Sequence, residues 1–139
     1  MRGGERGFSL IELLAALAIL AVLAAVALPA YRRHAYRARR VEGKELLLRI
    51  AHAQERHYAT YNRYGDLAGL GFAEPAWSEQ GFYRVTLRLG AGDSPQSFMA
   101  KALPSAAQMS DVCGVLSVDD TGRKEAVGPG DAAGGGACW

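Results

Sequence analysis

Four groups of side chains in this 139-residue sequence have types that could do chemistry. Glu12 places one carboxylate just inside an apolar run from Leu13 to Ala30, in which every residue is apolar or Pro29. Cys113 and Cys138 are thiols that can pair, stay free or supply half of a metal site. His52 and His57 are five positions apart, and Asp119-Asp120 is a carboxylate pair. A metal site is disfavoured, because the cysteines lack C-x-x-C spacing and the histidines lack the H-E-x-x-H pattern. Five positions also match one helical face poorly, so both histidines read as ordinary helix residues. Thr121-Gly122 follows the two aspartates, and a turn explains both acids. No Gly-rich phosphate loop and no nucleophile elbow is present. The chain therefore reads as a non-enzyme, with no catalytic, cofactor-binding or metal-binding residues.

Glu12 is the anomaly that remains. The apolar run has about the 17 to 25 residues a membrane-spanning helix needs, and an ionised side chain at a bilayer centre costs about 2.5 to 3.5 kcal/mol. Near one end of the span the cost is smaller. Two readings of the residue stay open: a charge resting at the interface, or one waiting for a counter-charge. The span itself also has a second reading, as a secretory signal cut at the A-x-A-like Ala25-Val26-Ala27 to release a domain starting at Leu28. Against this, Glu12 interrupts the start of the stretch, and the stretch is long for such a signal.

The string Gly7-Phe8-Ser9-Leu10-Ile11-Glu12 resembles the signal of type IV prepilins, a short basic leader ending in Gly, then Phe, then an apolar segment with Glu at its fifth residue. Arg2 and Arg6 give the leader, Met1 to Gly7, its basic character. The resemblance implies cleavage between Gly7 and Phe8 by a prepilin peptidase and N-methylation of Phe8. It makes Pro29 the family's helix-kinking proline, and Cys113 and Cys138 the disulfide pair that brackets its C-terminal loop. Tyr61 to Phe72 is similar to the helix-to-sheet loop of type IVa pilins, in particular PilE-like minor pilins. The implied fold is α+β: a long N-terminal helix, membrane-spanning in its first half, packed on a small antiparallel sheet of about four strands. The implied partner of Glu12 is the new α-amine of a neighbouring subunit, so that the residue sets the axial register of a filament. Two unit charges at ~4 Å attract by roughly 4 kcal/mol at an effective dielectric of 20, comparable to the burial penalty.

The resemblance further implies a minor pilin: a single-pass inner-membrane protein with a periplasmic head, later built into or priming a surface pilus for motility, adhesion or DNA uptake. Its partners would be other pilins, the prepilin peptidase and methyltransferase, the inner-membrane assembly machinery and the membrane. A major pilin, a type II secretion pseudopilin and a membrane-anchored binding module that never polymerises are the other readings. The cysteine bracket disfavours the pseudopilin. Closing about 26 residues with that disulfide contributes roughly 3.5 kcal/mol on the chain-entropy model, and it places the head in an oxidising compartment.

These residues require elements to hold them. The sequence divides into leader 1–7, assembly helix 8–30, stalk 31–61 and sheet-bearing head 62–139. The helix is expected to continue beyond Pro29 as far as Tyr61, with a bend or local melting at Pro29 itself, since proline removes a backbone donor and crowds the carbonyl of Ala25. Gly43 is a second weak point. Ala18, Ala21 and Ala25 form either a small-residue packing face or simply an Ala-rich span. Leu47, Ile50, Ala51, Gln54, Tyr58 and Tyr61 form a stripe expected to face the sheet. Asn62 to Gly81 reads as loop. Tyr83, Val85, Leu87 and Leu89 alternate with polar residues as a strand. Ser97 to Leu103 is its partner, Cys113 to Val118 a third strand and Arg123 to Val127 a short fourth.

Charge is unevenly placed although the net is only +2. Arg32 to His57 holds eight basic and three acidic residues, and Tyr58 onward holds six and nine. Arg32, Arg33, Arg37, Arg39 and Arg40 come directly after the span, which by the positive-inside tendency would put the C-terminal side in the cytoplasm. The leader and the cysteine pair point the other way and outweigh that tendency. A mildly acidic head lacks the basic patch that phosphate contacts need, so direct nucleic-acid binding by this subunit is not expected.

Overall fold

The computed structural model describes residues 8–131 and 136–139. The leader, with Arg2, Arg6 and Gly7, lies outside them. Two compact units are present, one ending at Ala35 and one running from Tyr36 to Trp139. One helix, α1, is assigned over Leu10–Tyr61.

In the first unit the helix has no amphipathic face. Large apolar side chains are exposed all round it, from Phe8 and Leu10 to Val26 and Leu28, and no residue of its most apolar window is buried. A helix that is hydrophobic on every side belongs in lipid or among other helices. Pro29 sits inside this helix, and the helical conformation continues through it without a break. The loss of one donor has not melted the turn.

The second unit opens with the one-sided part of α1. Its buried residues are Arg40, Gly43, Leu46, Leu47, Ile50, Ala53 and Gln54, a three-four spacing that makes one stripe. Ala51 and Tyr58 pack partly against the core, but Tyr61 is exposed. The expected stripe is thus right in its centre and wrong at its end. The helix stops at Asn62, whose φ of 53° and N–H bond to Tyr58 O at 2.8 Å form a left-handed cap that asparagine tolerates. Tyr61 stacks on His57, with centroids 4.6 Å apart, instead of reaching the sheet.

Five antiparallel strands come next in a meander of order β1-β2-β3-β4-β5: β1 (Ala76–Trp77), β2 (Tyr83–Leu89), β3 (Phe98–Pro104), β4 (Val115–Asp119) and β5 (Lys124–Val127). β1 corrects the expectation of about four strands. Two residues give no alternation to detect, and β1 exists because Ala76 and Trp77 pair with Val85 and Arg84. The inner face buries Tyr83, Val85, Phe98, Ala100, Ala102, Leu116 and Val118 with Leu47 and Ile50. Cys113 and Cys138 are joined, with Cα atoms 5.6 Å apart. Cys113 belongs to the turn before β4 and not to the strand.

Gly43 is the point of closest approach. A Cβ built there would lie 2.8 Å from Cγ of Tyr83, so the residue read as a weak point is what lets β2 lie against the helix. Alanine improves helix propensity by about 1 kcal/mol, but overpacking typically costs about 1 to 3 kcal/mol, and the Tyr83 ring is fully buried. Gly43→Ala is therefore expected to lower stability in denaturant unfolding, by up to about 2 kcal/mol net. An unchanged or raised midpoint would show that the ring can move.

Candidate functional site

Three places gather the residues of interest. The first is the start of α1. Ser9 O accepts from Glu12 N at 3.0 Å and from Leu13 N at 3.1 Å, so Ser9 is the cap and Glu12 lies in the first helical turn. Ser9-Leu10-Ile11-Glu12 is the S-x-x-E spacing of a capping box, a local helix-start signal that the prepilin resemblance overshadows. The positive end of the helix dipole favours a carboxylate there by about 0.3 to 1 kcal/mol. That is smaller than the cost of burying the charge in lipid, so the helix end offsets only part of it. Phe8, 80% exposed, stands one position before the cap.

The second place is where α1 meets the head, and nothing in the sequence marked it. Arg40 and Asp111 are both buried, with Arg40 Nε 2.7 Å from Asp111 Oδ2. Gln108 Nε2 lies within donating distance of Asp111 Oδ2 (3.2 Å), Tyr83 OH (3.3 Å) and Tyr36 O (3.0 Å). Arg39 rests on the Phe82 ring, 4.5 Å from its centroid, and donates to Ala107 O. Burial pushes the Tyr83 hydroxyl up to about 12, with the Asp111 carboxylate acting in the same direction.

The third place is the outer face of the sheet. Arg84, Thr86 and Arg88 are the exposed positions of β2. Lys101 of β3 is the cross-strand partner of Thr86, and exposed Trp77 is that of Arg84. Directly opposed residues share a face. Arg84, Arg88 and Lys101 therefore stand together, and the ion pairs among the described residues are made elsewhere, at Arg40–Asp111 and Arg123–Glu125. The acids of this face lie towards β4 and β5, where Asp119 and Glu125 are engaged. Asp119 Oδ1 accepts from Thr121 N (2.9 Å), Thr121 Oγ1 (2.6 Å) and Arg123 N (3.0 Å). The Thr121 hydrogen bond comes first among the causes that hold its carboxyl below the usual range. The head is mildly acidic in total, yet three of its cations, Arg84, Arg88 and Lys101, share one exposed face of β2 and β3.

The remaining expected residues are structural. His57 Nδ1 is 2.9 Å from Arg63 O, and its ring lies 3.0 Å from where a Cβ on Gly65 would stand. His52 is exposed. Among the described residues no group of three or more His, Cys, Asp or Glu could hold a metal ion.

A one-sided helix on an antiparallel meander, preceded by an all-round apolar helix that starts at a capped Glu12, is the architecture of type IV pilins. The comparisons agree. The family "Type IV minor pilin ComP, DNA uptake sequence receptor" matches residues 29–117, and the prokaryotic N-terminal methylation motif matches residues 2–28. A type IV pilin from Shewanella oneidensis is 28% identical, with a TM-score of 0.52, over 75% of this chain and 97% of that one. The non-core minor pilin PilV of Neisseria meningitidis is 26% identical, also with a TM-score of 0.52, over 73% and 96%. No curated protein matches the sequence. The chain belongs to the type IV minor pilin ComP family.

The buried hydroxyl gives a pH test. Tyr83 has a folded-state value raised from 10.0 to about 12, so its contribution is fully present below pH 10.0 and is lost as pH rises towards 12. Chemical unfolding measured across that window should show stability falling, and Tyr83→Phe should flatten part of the fall. Equal slopes for both proteins would remove Tyr83 as the cause.

Proposed function

We propose that this minor pilin is held in the inner membrane by its apolar helix with its head in the periplasm, is cut between Gly7 and Phe8, is methylated on Phe8, and then enters or primes a pilus. The observation that carries this reading is the exposed apolar surface from Phe8 to Leu28 with one carboxylate at its capped end. Lipid covers such a surface first, and neighbouring pilin helices cover it afterwards. Glu12 sets the register, because the freed α-amine of a neighbour supplies the opposite charge, and Pro29 is where the helix can bend to fit. The Cys113–Cys138 disulfide suits the periplasm and, with the minor-pilin family, supports this reading over a pseudopilin or a major pilin.

A second observation extends the function to DNA. The matched family is described as a DNA uptake sequence receptor, and Arg84, Arg88 and Lys101 with Trp77 and Thr86 supply cations, a hydroxyl and an aromatic ring on one exposed face. Lysine and arginine at a phosphate backbone release counterions, which makes affinity fall steeply with salt. In this reading the head presents its outer sheet face to duplex DNA during uptake.

Two experiments separate these statements. Glu12→Ala in cells should leave the protein processed and in the membrane but strongly reduce its recovery in sheared filaments, scored by mass spectrometry of the peptide starting at methyl-Phe8. Incorporation equal to the parent would remove the register role. Independently, Arg84→Ala/Arg88→Ala/Lys101→Ala should weaken duplex binding and reduce the log–log salt slope by about 0.9 for each phosphate no longer neutralised. A slope unchanged by the triple substitution would move DNA binding elsewhere or abolish it.

A further inference from the structure

Strand β2 leaves part of one edge without a partner. Ser78 N donates to Tyr83 O at 2.9 Å and Tyr83 N to Ser78 Oγ at 3.0 Å, on the β1 side. On the β3 side, Ser105 N donates to Phe82 O at 2.8 Å and Gly90 N to Ser97 O at 2.8 Å. Backbone groups alternate between the two edges of an antiparallel strand, so Tyr83, Val85, Leu87 and Leu89 turn theirs towards β1, and Arg84, Thr86 and Arg88 turn theirs towards β3. β1 covers its edge only as far as Ala76, the partner of Val85. Pro75, next before Ala76, has no N–H and sits with Glu74 in a bend, so the ladder stops there. Among the described residues no hydrogen bond reaches the N–H or C=O of Leu87 or Leu89 on that side.

The side chains along this open edge define what can cover it. Leu87 and Leu89 are partly buried against the core, and Arg88 between them is exposed on the opposite face. Met99, the partner of Arg88 on β3, brings no counter-charge. Beside Leu89 a cavity of about 340 Å³ opens between the loop that carries Arg63 and Asp66 and the turn that carries Gly92 and Pro95. That volume falls within the range of ligand sites. A second copy of the chain, paired edge to edge through both leucines, would set Arg88 directly against the Arg88 of that copy, and like charges in that position are destabilising. An acidic residue there is stabilising instead.

We propose that the open edge of β2 accepts an extended segment of another protein, antiparallel and in line with β1, with apolar residues opposite Leu87 and Leu89 and an acidic residue opposite Arg88. Main-chain hydrogen bonds to the two leucines hold the segment, and the alternation of its side chains gives the selectivity. Its apolar residues fall on the core side, its acid meets Arg88, and the end that runs past Leu89 enters the cavity. This goes beyond membrane anchoring, filament entry and DNA binding, and it does not depend on them.

The test is amide hydrogen exchange, read residue by residue by NMR on the full chain in detergent micelles, with the end-blocked peptide Val-Glu-Val-Glu-Val as probe. Before peptide is added, the Leu87 and Leu89 amides should exchange at least about tenfold faster than those of Thr86 and Arg88, which bond to β3. With peptide at about ten times its Kd both should slow about tenfold, because protection follows the occupied fraction. Val-Lys-Val-Lys-Val should protect them several-fold less, and Arg88→Glu should reverse that preference. The glutamate peptide N-methylated on its valines cannot donate to the edge and should protect neither. Leucine amides that are already slow in the uncomplexed chain overturn the proposal. So does an absence of slowing at the highest soluble peptide concentration, or equal protection by the lysine or the N-methylated peptide.

Discussion

The apolar surface from Phe8 to Leu28 has nothing inside its own subunit to cover it, and the rest of the molecule is organised around that deficit. Exposed contiguous apolar surface of this extent is not tolerated by a soluble monomer. The chain needs a bilayer and, as a pilin, neighbouring helices, and the same side chains have to suit both. Lipid gives no hydrophobic drive between helices, so a purely apolar surface would slide along its neighbours without a preferred register. In the proposed assembly, a carboxylate at a capped helix start would break that degeneracy, because its position relative to an opposite charge is costly to get wrong. The helix dipole lowers the cost of keeping it there without removing the incentive to pair.

The head solves a different problem with the same helix. Past Ala35 the helix becomes one-sided, and its stripe meets the sheet at a place where only hydrogen fits, Gly43 over the Tyr83 ring. Arg40, Asp111, Gln108 and Tyr83 are buried, and since a buried charge without a partner is strongly destabilising, Arg40 and Asp111 depend on each other. The network also fixes the loop Ser105 to Gly114 against the helix.

Whatever has a period or a fixed string was legible in the sequence. The apolar run, the alternation in Tyr83 to Leu89, the centre of the helical stripe and the turn at Asp119-Asp120 were all readable from neighbouring residues. β1 was not, because two residues carry no period and pairing with Val85 and Arg84 creates the strand. Tyr61 was misplaced because a stripe extrapolated from spacing does not know where the sheet ends. Gly43 was misjudged for a related reason: propensity sees a missing side chain, while packing sees the Tyr83 ring that needs the space. Arg40 and Asp111 meet only through the fold, and no local pattern joins them. Counting charge over the whole head hid the cationic face, since strand register, not composition, decides which residues share a surface.

The division of surfaces also determines where a pilin of this family can vary its partners. The apolar helix is committed to lipid and assembly, and the buried stripe and the inner sheet face are committed to each other. The outer face is free of those duties. Because strand side chains alternate, Arg84, Thr86, Arg88 and Lys101 can change without altering a single buried contact of Tyr83, Val85, Ala100 or Ala102. A subunit can therefore be matched to a polyanion or to another surface by outward positions alone, with filament entry untouched. Function is grafted on the fold at positions the core does not constrain. For this chain those positions carry arginine and lysine beside an exposed tryptophan, while the acids of the same face are held in a turn and an ion pair. That arrangement leaves the cations at β2 and β3 outside the ion pairs of the described residues, as the proposed phosphate contacts require.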